Sequence, residues 1–241
     1  MSRNGTLNIP DYAPRDFKQN LIKTAVCELR YPVLLELESS PPVKFQSAIR
    51  KAYPDYERRM NFKLNVGTEP TQEPEYHFIS VRKDWSIRVT SASISLETAK
   101  YSSFTEFVRR LKDIVGEAKK FIDSPMFTRV GLRYIDFIEV PDGKYTDWIN
   151  KELVLPLTTG SYGEPELCWQ TIRGTSDAGR FTFQHGIRQD SPGSYILDFD
   201  FFEEDVEIKS IESVLRGLHK ESLKLFFWSV GQKSLEKMEA V

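Results

Sequence analysis

The stretch Ser103–Pro125, SFTEFVRRLKDIVGEAKKFIDSP, decides how this chain is read. Ser103 followed three residues later by Glu106 is a capping box, in which the serine oxygen and the glutamate satisfy reciprocal backbone N–H groups at a helix start. Phe104, Phe107, Val108, Leu111, Ile114, Val115, Ala118, Phe121 and Ile122 recur at three- and four-residue steps and form one apolar stripe. Lys119 and Lys120 suit the negative end of the helix dipole, and Ser124-Pro125 stops the run. A helix of about five turns with one broad apolar face must lie on a sheet.

Strand signals flank it. Ala25 to Tyr31 alternates and ends at Pro32; the apolar run Val33 to Leu37 that follows fits neither period. Ser39-Ser40-Pro41-Pro42 opens a short helix, with a serine as its expected cap, that carries Phe45, Ile49 and Tyr53 and stops at Pro54. Phe62 to Val66 reads as strand, and Tyr76 to Val81 pairs with the segment Trp85 to Leu96 across Arg82-Lys83-Asp84. Trp85, Ile87 and Val89 share one parity and Ala92, Ile94 and Leu96 the other, which predicts a bulge near Thr90–Ser91. Phe127 to Val140 is a long strand, and a short helix is expected from Trp148 to Leu157. Leu167–Arg173, Arg180–Arg188 and Tyr195–Phe202 follow as strands, and a last helix runs from about Ser210. The expected fold class is therefore α+β: antiparallel sheets with long amphipathic helices across one face, in two related halves. The expected division is an arm over 1–19, one half over 20–144 and a second over 145–241.

Composition bounds the function. The 241 residues are 40% hydrophobic and 28% charged, ordinary for a globular chain. The 33 basic and 35 acidic residues nearly cancel, leaving −2, which disfavours a general nucleic-acid binder. Cys27 and Cys168 are too few for a disulfide framework and read as buried thiols. The polar N-terminus has no apolar core of a signal peptide, and no apolar run approaches the ~18 residues of a membrane span, so a cytoplasmic, non-membrane protein is expected.

Four side chains are the candidate site residues. Asp198 and Asp200 are two apart on a strand and project from one face, an arrangement that can hold Mg²⁺ for phosphoryl or nucleotidyl transfer. The preferred reading is a half-exposed strand whose apolar side is Leu197, Phe199 and Phe201, with no metal and no cofactor. Arg129 and Arg133 share a face with Gly131 between them, so their guanidiniums could grip a carboxylate or phosphate; cross-strand pairing to acids such as Asp198 and Asp200 is preferred. Arg173, Arg180 and Arg188 with Phe181, Phe183 and His185 mimic a single-strand nucleic-acid platform, but the shared parity of Phe181, Phe183 and His185 favours core. His77, His185 and His219 have no metal-ligand spacing. Residues 44–63 hold six basic against two acidic side chains, and 198–207 hold six acidic and no basic ones. Such opposed patches point to a protein partner or self-association.

Ala25 to Arg30, Trp85 to Thr98 running into Tyr101 to Phe107, Thr128 to Asp136 (TRVGLRYID) and the final helix with Leu218-His219 together resemble an uncharacterised, sporadically distributed bacterial protein family of about this length. The likeness covers most of residues 20–230. Asp136 stands where that family commonly has asparagine. The resemblance implies no catalytic residues, and its patchy distribution implies an accessory or phage-defence setting. The functional expectation is a non-enzymatic binding or interaction protein, with Mg²⁺-dependent phosphoryl transfer or anion binding as alternatives.

Overall fold

Alternation of apolar and polar residues sets the strands of the computed structural model, which describes residues 7–12, 17–63 and 71–239. In chain order the elements are β1 (Ile22–Arg30), α1 (Glu36–Ser39), α2 (Val43–Ile49), β2 (Asp55–Lys63), β3 (Thr71–Ile79), β4 (Trp85–Val89), β5 (Ser93–Thr98) and α3 (Phe104–Ile122). Then come β6 (Met126–Glu139), α4 (Tyr145–Trp148), α5 (Leu155–Thr158), β7 (Cys168–Ser176), β8 (Gly179–Ile187), β9 (Ser194–Glu207), α6 (Ile211–Ser229) and α7 (Gln232–Glu239).

The expected fold class, antiparallel sheets with long amphipathic helices across one face in two related halves, is overturned. The strands form a single nine-stranded antiparallel sheet in the order β2-β3-β4-β5-β1-β6-β9-β8-β7, and strand outweighs helix, 38% against 31% of the described residues. The physical reason lies in β1. It pairs with β5 on one side and neighbours β6 on the other, so strands distant in sequence join one ladder instead of closing two separate sheets. Two compact units interleave along the chain: one comprises residues 1–24, 132–202 and 216–241, the other 25–131 and 203–215.

In the unit built on 25–131, one face of the strands is largely apolar. Ala25, Cys27, Leu29, Tyr76, Phe78, Trp85, Ile87, Leu96 and their neighbours are buried there. The α3 stripe meets this face: Phe107 lies 5.7 Å from Trp85, and Phe45 of α2 bridges Phe78 and Phe121 at 5.7 and 5.5 Å. Ser103 accepts the Glu106 N–H at 3.2 Å, and Asp123 ends the helix with φ +42°. Glu106, however, turns its carboxylate to Arg109 and Arg110. Pro42, not a serine, occupies the N-cap of α2, which has no side-chain cap.

In the unit built on 132–202, Leu132, Tyr134, Phe183, Tyr195, Phe199 and Phe201 are buried, with α6 placing Phe226 6.2 Å from Phe199. The expected Trp148–Leu157 helix is instead α4 and α5, separated by residues 149–154. Of the arm expected over 1–19, residues 1–6 and 13–16 lie outside the described residues. Within the rest, Tyr12 and Phe17 stack on Phe227 at 4.5 and 5.4 Å. Residues 64–66 of the predicted Phe62–Val66 strand also lie outside them. No helix among the described residues is long and apolar enough to cross a membrane.

The expected bulge near Thr90–Ser91 is not there. The parity change comes from a tight hairpin in which Val89 faces Ile94, so β4 and β5 are separate antiparallel strands. Thr90 builds the turn: its N–H donates to the Ser93 carbonyl at 2.9 Å, and its hydroxyl oxygen accepts the N–H groups of Ala92 and Ser93 at 3.2 and 2.9 Å. Thr90→Val keeps the shape and removes both acceptor contacts. A loss of about 1–2 kcal/mol in chemical-denaturation midpoint measurements is expected.

Candidate functional site

Alternation along β6 sends Arg133 to the face opposite the core, and alternation along β9 sends Asp198 and Asp200 to that same face. Arg133 meets Asp198 as a fork: Nε donates to Oδ1 at 2.7 Å and Nη2 to Oδ2 at 2.5 Å. The Asp198 side chain is only 7% exposed, whereas Arg133 is 44% exposed, so the guanidinium roofs the carboxylate. Both Asp198 oxygens are thereby occupied in the geometry that suits this pair best. Asp200 shares the face as the spacing implies, with Thr182 as its cross-strand neighbour and Gln184 opposite Asp198. Among the described residues no cluster of three or more His, Cys, Asp or Glu side chains could hold a metal.

Asp136 is the acid that sequence reading passed over. It lies on the core face of β6 between Tyr134 and Ile138, 2% exposed, and its Oδ1 has no hydrogen-bond partner. Burial, helped by the Asp198 charge, pushes its carboxyl up to about 8. Near pH 7 this side chain is therefore mostly protonated and uncharged. The signal was present in the alternation, because 130, 132, 134 and 138 are apolar and 136 falls in their series.

In the unit built on 25–131, the non-core face carries a lateral chain of polar and charged side chains. His77 meets Glu75 at 3.1 Å, Arg88 approaches both Glu75 and Glu28 at 3.8 and 3.7 Å, and Arg129 reaches Glu28 at 3.3 Å. Small residues make this possible. Ser95 of β5 lies directly across from both Arg88 and Glu28, leaving room above it for their side chains to meet. At Gly131 a Cβ would sit 2.3 Å from the Arg129 guanidinium, which folds over the glycine. Each of the two candidate arginines thus grips a carboxylate of its own chain, Arg133 that of Asp198 and Arg129 that of Glu28.

The histidines are structural in their bonding. The Tyr195 hydroxyl donates its one proton to the Leu153 carbonyl at 3.1 Å, so it accepts from His185 Nδ1 at 2.7 Å. That assigns the proton to Nδ1 and leaves Nε2 as a bare lone pair in the core. His219 is bonded to the Tyr134 hydroxyl at 3.1 Å, and burial lowers both imidazoles to about 4. Phe181, Phe183 and His185 are buried, while Arg188 stacks 5.5 Å from the Trp169 ring. Cys27 is buried and Cys168 half-buried, and burial raises both thiols. Of the charge patches, Lys44, Arg50, Lys51, Arg58 and Arg59 are exposed; in the acidic run Asp198 is buried and Glu204, Asp205 and Glu207 are exposed.

The aperiodic run after Pro32 becomes a surface feature. Val33, Leu35 and Val43 are 56%, 73% and 59% exposed and line, with Pro41, Pro42 and Phe121, a groove of about 1120 Å³. Lys44, Lys120, Glu36 and Glu117 are its charged lining residues.

The buried acid fixes a pH dependence. An unfolded aspartate releases its proton near pH 4 and Asp136 near 8, so between these values unfolding releases a proton and stability falls as pH rises. Below about 6.5 the buried histidines act in the opposite sense, because only the unfolded imidazoles take up protons there. Asp136→Asn is expected to raise the melting temperature at pH 8 by several degrees, with a smaller effect near pH 5, in thermal melts across that range. An equal shift at both pH values would contradict a buried, protonated Asp136. No protein-family model matches the chain and no curated protein matches it.

Proposed function

We propose that this chain is a non-enzymatic interaction protein that receives a protein partner along the groove beside α1 and α2. The observation that supports it is the exposure of three large aliphatic side chains, Val33, Leu35 and Val43, around one concavity floored by Phe45 and Phe121. Contiguous apolar surface rimmed by charge is unfavourable in water and marks surfaces that are covered in use. Two prolines at 41 and 42 stiffen the rim, so little conformational entropy is lost when a partner binds. The accessory or phage-defence setting implied by the family resemblance is compatible with such a role.

A photo-crosslinking residue placed at Leu35 or Val43 is expected to capture one partner in cells of the native host. The same probe at Val81, which is 68% exposed and away from the groove lining, serves as control. Adducts at position 35 no different from those at 81 would sink the reading.

The phosphoryl-transfer alternative is disfavoured because Arg133 occupies both oxygens of Asp198. Adding Mg²⁺ is expected to leave the melting temperature unchanged; a rise that Asp198→Asn abolishes would restore that alternative. The anion-binding alternative is weakened in the same way, Arg129 and Arg133 each being held by a carboxylate.

A further inference from the structure

The two edges of the sheet are protected very differently. Strand β2, DYERRMNFK, places five charged residues in nine along one edge. Strand β7, CWQTIRGTS, is the other edge and contains one, Arg173. Charges and prolines on an edge prevent its unpaired N–H and C=O groups from templating another strand. β7 has neither device beyond that single arginine. It is nine residues long, pairs with β8 over its whole length, and exposes Thr171, Ile172 and Arg173 at its centre, Ile172 by 46%. Among the described residues, no strand of the chain lies on its outer side.

We infer that β7 pairs antiparallel with β7 of a second copy of this chain, with the two-fold axis passing through Ile172. Two identical strands joined this way are related by an axis perpendicular to the sheet, which keeps like faces together. Facing residue numbers must then sum to an even number, which leaves few registers. An axis at Arg173 sets like charges opposite each other, which is destabilising. An axis at Thr171 leaves Ile172 facing Gln170. With the axis at Ile172, the exposed isoleucine meets its own copy and Thr171 faces Arg173. Gln170 then faces Gly174, and Trp169 faces Thr175, so no like charges are opposed. The strand is complementary to itself in this register, and that selects a second copy over a foreign peptide. This pairing is independent of the groove, whose lining residues all belong to the other compact unit.

Light scattering coupled to size exclusion, over a dilution series, is expected to show twice the 27.9 kDa chain mass at the higher concentrations. Ile172→Asp and Ile172→Lys each put like charges on the axis and are expected to run as monomers, with circular dichroism confirming that they fold. An equimolar mixture of the two variants brings Asp against Lys and is expected to recover the dimer mass. Tyr56→Asp on the β2 edge is expected to leave the wild-type dimer intact. A wild-type chain that stays monomeric at every concentration overturns the pairing. So does a single variant that stays dimeric, or a mixture that stays monomeric. Should a variant fail to fold, hydrogen exchange on the wild-type chain decides: protection of amides 168–176 must rise with concentration, and protection that does not change overturns the pairing.

Discussion

A β-strand presents its side chains to two faces in strict alternation, and here that alternation separates apolar packing from ionic pairing. On the core face the strands carry aromatic and aliphatic side chains that the helices cover. On the other face charged side chains are held by their neighbours on adjacent strands. Arg133 with Asp198, and the run from His77 through Arg88 to Arg129, follow from that geometry. These pairs differ in worth. An exposed pair such as Arg30 with Glu28 contributes little, whereas Asp198 would be a nearly buried charge without its arginine.

Local features were legible in the residues, and non-local ones were not. The α3 stripe with its serine cap, β1 and β6 could be read directly, because each is specified by neighbours within a few turns or along one strand. The joining of β1 to both β5 and β6 depends on contacts far apart in sequence, so one sheet was mistaken for two. The parity change near Thr90 was a real signal with two physical causes, a bulge or a hairpin of the observed length, and periodicity alone does not separate them. The pairing of Arg133 with Asp198 was foreseeable from charge and parity. The state of Asp136 was not, because it depends on how completely helix and sheet exclude water.

The candidate site shows the same division. Asp198 and Asp200 were placed correctly on one face, but their chemistry turned on which arginine lay across the ladder. The run after Pro32 resisted assignment for a sound reason: an apolar segment without helical or strand period cannot bury all its side chains at once. Its exposed residues therefore form a surface rather than a core.

The folding of Arg129 over Gly131 has a consequence for how the chain can vary. The absence of a side chain at 131 is the space in which the guanidinium rests, so a side chain there would push that movable group aside. A larger residue at 131 would loosen the hold of Arg129 on Glu28, which keeps Arg30 and Arg88 as neighbours. Ser95 lies across the ladder from both Arg88 and Glu28. A substitution at 131 is thus felt first as a change in charge pairing around Glu28, with the backbone of β6 left where it is.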